Sequence, residues 1–274
     1  MDQLLQALVM GIVQGLTEFL PISSSGHLII VPWLFHWTDP FIDSLSFTVA
    51  LHAGTLAALL LYFREDWLRL VPAGLAAIRD RSFRGDTDRR LAWLLVASTI
   101  PAAILGVLLN DPIENAIREP TIVAVLLVIA GGVLWLADRW ATGHRPLAQL
   151  TMPAALGIGF AQALALFPGV SRSGISISAS MFAGLDRQDA ARYSFLMATP
   201  VTAGAVLYEG FTLVKGGQIA TEAGPLMVGI AAAFISGVIA ISALLRYVRS
   251  RSYNVFVIYR LVLAAVVLAV FLTR

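Results

Sequence analysis

Six stretches of this chain are apolar for about as long as a bilayer-crossing helix must be, roughly 20 residues at about 1.5 Å of rise each. They cover residues 41–63, 91–109, 121–137, 193–211, 225–245 and 254–272. In hydrocarbon every backbone N–H and C=O must find its partner within the protein, which leaves helices or a closed barrel, and runs of this length are too long for barrel strands. The charge inventory agrees. Of the 274 residues, 58% are hydrophobic and 13% charged, against about 25% charged in an ordinary soluble domain. Soluble, disordered and fibrous classes are excluded. The absence of cysteine removes a disulfide framework and thiolate metal sites. The expectation is an all-α integral membrane protein, one membrane domain over residues 1–274. Its N-terminus, Met1-Asp2-Gln3, has no basic region, and the run that follows carries Gln14 and Glu18. That start reads as part of the fold and not as a signal peptide.

Two further stretches, residues 4–37 and 150–185, are apolar halves interrupted by Pro, Ser and Gly. Neither half spans comfortably, so each stretch reads as a re-entrant helical hairpin, giving six full crossings plus two hairpins. Irregular backbone at membrane depth is tolerated only where protein or a watery cavity receives it, which marks both turns as site candidates. Alternating crossings place fourteen of the nineteen basic residues on one face, and the positive-inside rule makes that face cytoplasmic. Both termini then lie outside. The arginine-rich segment 64–90 is interleaved with acids and reads as a solvated loop with a short interfacial helix, not as a nucleic-acid site.

The sequence also matches itself at an offset of 148 residues. Nine of the twenty positions from Ala7 to Gly26 are identical without a gap, among them Gly11 with Gly159, Gln14 with Gln162, Phe19 with Phe167, and Ser23, Ser25 and Gly26 with Ser171, Ser173 and Gly174. The internal repeats run approximately over 1–137 and 150–272. Each holds one hairpin and three crossings, an odd number, so the second copy is inverted. The two Ser-rich turns are expected to meet near the midplane, where paired broken helices place anion or ion sites.

The turns carry the chemistry. The first runs from Gln14 through Glu18, Ser23, Ser24 and Ser25 to His27; the second holds Ser171, Arg172, Ser173 and Ser176. Each set of serines opens a second half-helix, whose free N–H groups and positive dipole end favour an anion. Arg172 adds a planar fork suited to phosphate, and a cation in the membrane interior calls for an anionic partner. Together these read as a phosphate or pyrophosphate site. Glu18 follows Gln14 by four residues, so both present oxygens from one helix face to a hard divalent cation, Mg²⁺ or Ca²⁺. His27 reads as a base for Ser24 or for water. The plainer alternatives make Glu18 the structural counter-ion of Arg172 and His27 a hydrogen-bonded interior side chain. His52 either lines the cavity or packs, and Arg260 reads as a snorkelling or structurally paired residue.

At these residues the chain resembles the bacterial undecaprenyl-pyrophosphate phosphatase family, membrane enzymes associated with bacitracin resistance. The family's (E/Q)xxxE stretch leading into a Ser-rich turn and a His stands here as Gln14 to His27. Its PGxSRSxxT motif stands as Pro168 to Ser176. The resemblance covers essentially the whole chain. It implies a divalent-metal-dependent hydrolase of the bacterial inner membrane that removes the terminal phosphate of undecaprenyl pyrophosphate and so returns the carrier lipid to peptidoglycan synthesis. Glu18 would be the metal-associated or acid/base carboxylate, Arg172 the phosphate binder and Ser24 the nucleophile beside His27. Ser171 and Ser173 would be phosphate ligands; Ser23, Ser25, Ser176 and Gln14 complete the substrate set. Two departures stand out: Gln14 is the neutral option at its motif position, and Ser176 replaces Thr.

A polyprenyl pyrophosphate also suits the architecture, because its chain can lie in the bilayer while its headgroup reaches the turns. The first hairpin enters from outside, which favours an external opening of the site. A homodimer is compatible with the sequence without being dictated by it. The competing reading is a transporter or lipid flippase, which shares the broken-helix inverted repeat and needs the arginine and helix N-termini but not Glu18 and His27.

Overall fold

The computed structural model describes residues 2–82, 86–140, 145–215 and 222–274. Among them the regular structure is helical, in eleven α-helices: α1 (Gln3–Phe19), α2 (Ser24–Phe35), α3 (Leu45–Tyr62), α4 (Arg64–Arg79), α5 (Thr87–Ala116), α6 (Pro120–Trp140), α7 (Met152–Ala163), α8 (Arg172–Phe182), α9 (Arg187–Lys215), α10 (Ala223–Tyr247) and α11 (Asn254–Thr273). Five of them, α3, α5, α6, α10 and α11, are long and apolar enough to cross a membrane. The sixth expected crossing, residues 193–211, lies within the 29-residue α9. That helix is not among the five, being more polar, with Ser194, Thr199 and Thr202 along it.

The shorter helices form two pairs. Helices α1 and α2 have 17 and 12 residues, and α7 and α8 have 12 and 11. Local chemistry stops them where they stop. Leu20 precedes Pro21, which disfavours helical backbone at Leu20, and the chain leaves α1 extended there. Thr151 caps α7 through Ala154 N–H, with a proline in the first turn. The second helix of each pair opens on a serine of positive φ: Ser23 and Ser171 both stand at 75°, and each side chain accepts a hydrogen bond from the backbone three residues on, Gly26 or Gly174. A non-glycine residue in that region is strained. Here the cap bond helps to hold it.

The polar residues gather at two ends of the bundle. At one, Arg192 pairs with Asp66 at 2.5 Å, Arg187 with Asp138 at 2.5 Å, and Arg69 with Asp66 and Asp88 at 3.0 Å. Asp138 also accepts from Tyr253 N–H at 3.2 Å. These contacts tie four of the basic segments to one another. Here α4 exposes Leu68, Val71, Leu75 and Ile78, the one-sided spacing of an interfacial helix. At the other end Gln3 donates to Asp39 and Glu222, and Arg274 donates to the Trp33 and Leu34 carbonyls. The pair α1–α2 begins and finishes at this second end. The pair α7–α8 begins and finishes at the first, where Arg90 holds the Ala148 and Leu150 carbonyls and Arg145 N–H reaches Gly184.

Small residues set the helix spacing. A Cβ on Gly11 would overlap the Gly229 carbonyl of α10, and one on Gly159 would overlap the Ser98 backbone of α5. The repeat-related glycines therefore do the same work on different neighbours. In lipid, association rests on such close van der Waals packing, because the tails are as apolar as the side chains.

Candidate active site

The two helix pairs meet tip to tip. Gly169 N–H donates to Ser23 Oγ at 3.1 Å, and Ser173 Oγ donates to the Leu20 carbonyl at 3.2 Å. The N-termini of α2 and α8 thus come together deep in the bundle, and with them the positive ends of two helix dipoles.

Glu18, on the last turn of α1, is the hub of the contact. Its Oε1 accepts from Arg172 Nη2 of α8. Its Oε2 accepts from Ser24 Oγ at 2.6 Å and from Gln14 Nε2 at 3.0 Å. The O–H···O distance to Ser24 is in the charge-assisted range. Arg172 Nη1 donates to Thr202 Oγ1 of α9 at 2.7 Å, so the guanidinium is fixed at two points. Relative side-chain exposure is 6% for Glu18 and 18% for Arg172: the glutamate is enclosed while the arginine side chain is only part-buried. His52 of α3 brings Nε2 to 3.6 Å from Glu18 Oε2. Its Nδ1–H is anchored on the Thr48 carbonyl at 2.9 Å, which leaves Nε2 facing the carboxylate.

The structure thus assembles Gln14, Glu18, Ser24 and Arg172, all read from sequence as site residues, and adds His52 and Thr202. His52 had been read as either cavity-lining or packed; its place beside Glu18 favours the former. Thr202 carried no signal, since a lone threonine in an apolar helix ordinarily bonds its own i−4 carbonyl, as this one also does with Ala198.

His27 is placed differently from the reading that made it a base for Ser24. Its Nδ1 donates to the Ser23 carbonyl at 2.7 Å, and its Nε2 accepts from Tyr259 Oη at 2.8 Å, with the two rings stacked. Both ring nitrogens are engaged, one by the Ser23 carbonyl and one by Tyr259, the contacts of a hydrogen-bonded interior side chain. The serines divide likewise. Ser23 and Ser171 are buried caps. Ser176 is fully buried, bonded to the Arg172 carbonyl at 2.7 Å and to Ser194 Oγ at 2.6 Å. Ser173 lies 3.2 Å from Ser171 Oγ, and Ser25 lies 3.4 Å from Ser23 Oγ and is only half-buried, as is Ser24. Arg260 neither snorkels nor finds a carboxylate. Its side chain is fully buried on backbone carbonyls.

A divalent cation has suitable donors. The described residues include no cluster of three or more His, Cys, Asp or Glu, so there is no preformed cage among them. Mg²⁺, however, is commonly held by one or two carboxylates together with substrate phosphates. Glu18 supplies the carboxylate. The Gln14 Oε1 atom is a hard oxygen, buried and without a hydrogen-bond partner, and lies on the same helix face. The residues fit a cation shared between protein and substrate.

The model of the family described as bacitracin resistance protein BacA matches residues 7–266. The undecaprenyl-diphosphatase of Gemmatimonas aurantiaca is 46% identical over 272 residues, covering 98% of both chains. That of Desulforudis audaxviator is 44% identical over 269 residues, again 98% of both. That of Thermomicrobium roseum is 45% identical over 97% of both.

Proposed function

Since this chain belongs to the bacitracin resistance protein BacA family, we propose that the assembly around Glu18 is the centre at which it hydrolyses undecaprenyl pyrophosphate. The enzyme is an undecaprenyl-diphosphatase, and its products are undecaprenyl phosphate and inorganic phosphate. The observation that carries the mechanism is the Ser24 hydroxyl donated to a carboxylate that Arg172 already binds.

The terminal phosphoryl group sits between the N-termini of α2 and α8, with Arg172 taking its equatorial oxygens. Ser24 Oγ attacks the terminal phosphorus and its proton passes to Glu18 Oε2. The bond from phosphorus to the bridging oxygen breaks, and the electron pair leaves with undecaprenyl phosphate. Water then attacks the phosphoserine, the bond from phosphorus to Ser24 Oγ breaks as Glu18 returns the first proton to that oxygen, and the proton lost by water passes through Glu18 to solvent, leaving the carboxylate ionised for the next turnover. The sum is one water consumed per phosphate released. Thr202 orients Arg172, and His52, whose Nδ1–H is anchored on Thr48, donates toward the carboxylate from Nε2 only as the imidazolium. Glu18 and Gln14 would hold the Mg²⁺ or Ca²⁺, which when bound neutralises charge on the pyrophosphate oxygens.

The membrane arrangement follows. Helix α9 supplies the sixth crossing, and the pairs α1–α2 and α7–α8 are re-entrant hairpins of an inverted repeat over 1–137 and 150–272. The shared positive φ of Ser23 and Ser171, the matching caps and the entry of the pairs from opposite ends support this reading. The arginine-rich end faces the cytoplasm, and the end carrying Gln3 and Arg274 faces outside, where the lipid headgroup enters.

Purified protein supplied with Mg²⁺ or Ca²⁺ is expected to release phosphate from undecaprenyl pyrophosphate, and Arg172→Ala is expected to abolish release. Release by the wild type no faster than by that variant would instead favour the transport reading, to which hairpins meeting from opposite ends also lend themselves. A tag after Arg274 is expected to be reachable from outside intact cells.

A further inference from the structure

We infer that Arg260 is a positioning residue, a clamp that sets the register between the two turns on which hydrolysis depends. It stands on α11 and is fully buried. Its Nε donates to the Pro21 carbonyl at 2.6 Å and its Nη1 to the Val170 carbonyl at 3.2 Å. Pro21 lies two residues before the Ser23 cap and Val170 immediately before the Ser171 cap. One rigid guanidinium therefore bonds the backbone of both turns just upstream of the strained residues that launch α2 and α8. A buried charge inside a membrane is costly, and such residues pair with one another or with carbonyls where function requires them. Lysine has no fork with which to hold two carbonyls in a fixed plane.

The socket is made for this side chain. A Cβ on Gly174 would collide with Arg260 Nη2 and crowd the Ser171 Cβ and Oγ at 3.2 Å, whereas one on Gly131 would meet the Arg260 Cδ at an ordinary 3.4 Å. The adjacent Tyr259 reinforces the brace by donating to His27 of α2 at 2.8 Å. Ser24 and Glu18 stand on one side of the clamped junction and Arg172 on the other, so a slip in register separates nucleophile and base from the phosphate-holding cation. Reaction rate is sensitive to such slips, about a hundredfold for a displacement near 1 Å.

This inference rests on the hydrolase reading, and the test separates the two. If the wild type releases no phosphate from undecaprenyl pyrophosphate, the hydrolase reading fails. Given wild-type activity, Arg260→Lys and Gly174→Ala are purified and compared with Gly131→Ala for folded fraction, melting temperature, kcat and KM. The expected result for Arg260→Lys and Gly174→Ala is a kcat lower by about a hundredfold per folded molecule, with KM within about threefold of the wild type, while Gly131→Ala stays near wild type. Gly174→Ala keeps the arginine and its charge, so it reads the clamp even if Arg260→Lys fails to fold. Wild-type kcat in folded Gly174→Ala, or activity losses that only track the folded fraction, would overturn the assignment.

Discussion

Ser24 donates its hydroxyl hydrogen to Glu18 Oε2 across 2.6 Å, from the first turn of one helix to the last turn of the helix before it. Only the sharp turn through Pro21 makes this possible, and it leaves the serine oxygen's lone pairs available to an incoming phosphorus. Ser24→Ala is therefore expected to lower kcat by about a thousandfold, within the range positioned proton-transfer groups supply, with KM little altered. Phosphate release measures the loss, and acid quenching of wild-type turnover with labelled substrate is expected to trap phosphoserine at position 24. Turnover of Ser24→Ala near the wild-type rate would make water the nucleophile.

Arg172 is held at two points, Glu18 and Thr202, a geometry that charge alone does not reproduce. Arg172→Lys is expected to lose most activity despite keeping the charge. Thr202→Val removes one of the two points, and a hydrogen bond to a charged group contributes about 1.5–3 kcal/mol. Its expected effect is a kcat/KM lower by roughly ten- to a hundredfold.

Glu18→Leu leaves the part-buried Arg172 beside an apolar side chain, and breaking a fully buried pair, the upper bound here, costs about 3–5 kcal/mol. Glu18→Gln keeps the shape and a hydrogen bond but not the base. The two variants are expected to separate: both inactive in phosphate release, but only Glu18→Leu showing a large drop in melting temperature.

The two histidines are expected to fail differently. His52→Leu removes a group facing the carboxylate and lowers kcat with little change in melting temperature. His27→Leu removes the side-chain bonds to the Ser23 carbonyl and the Tyr259 hydroxyl, and a bond of this kind contributes about 0.5–1.5 kcal/mol. Its first symptom is a lower melting temperature. Equal effects of the two substitutions on kcat and stability would contradict this division.

Gln14 reports on the cation. Its Oε1 is buried without a partner, and replacing it by a carboxylate adds a charged ligand to a site that has one. Gln14→Glu is expected to lower the half-activating Mg²⁺ concentration about tenfold, since affinity for hard cations follows ligand charge. Gln14→Leu is expected to raise it. Titration of phosphate release against free Mg²⁺ distinguishes them.

The parts that could be read from residue order share one physical origin, namely locality. Apolar runs, Pro and Ser breaks and a Gln four residues before a Glu follow from chain periodicity, so the helical class and the residues Gln14, Glu18, Ser24 and Arg172 were legible. The 148-residue self-match was legible for the same reason, and its two cap serines share an unusual backbone angle. Side-chain direction was not legible. His27 looked like a base because it sits three residues from Ser24, but on α2 its ring turns toward Tyr259, 232 positions away. His52 and Thr202 matter through α3 and α9, whose approach to Glu18 and Arg172 leaves no mark on local pattern.

Sequence alone determined that this chain must lie in a membrane, where it breaks into turns, and which charges those turns bring into the apolar interior. Hydrophobic length and the cost of burying charge act on the chain segment by segment, whatever the partners. Tertiary structure decided which groups answer which: that Glu18 takes Arg172 and Ser24 together, that His27 meets Tyr259, and that Arg260 holds both turns by their carbonyls. Hydrogen bonds are directional and short, so their partners are settled only when helices far apart in the chain are packed to within a few ångströms.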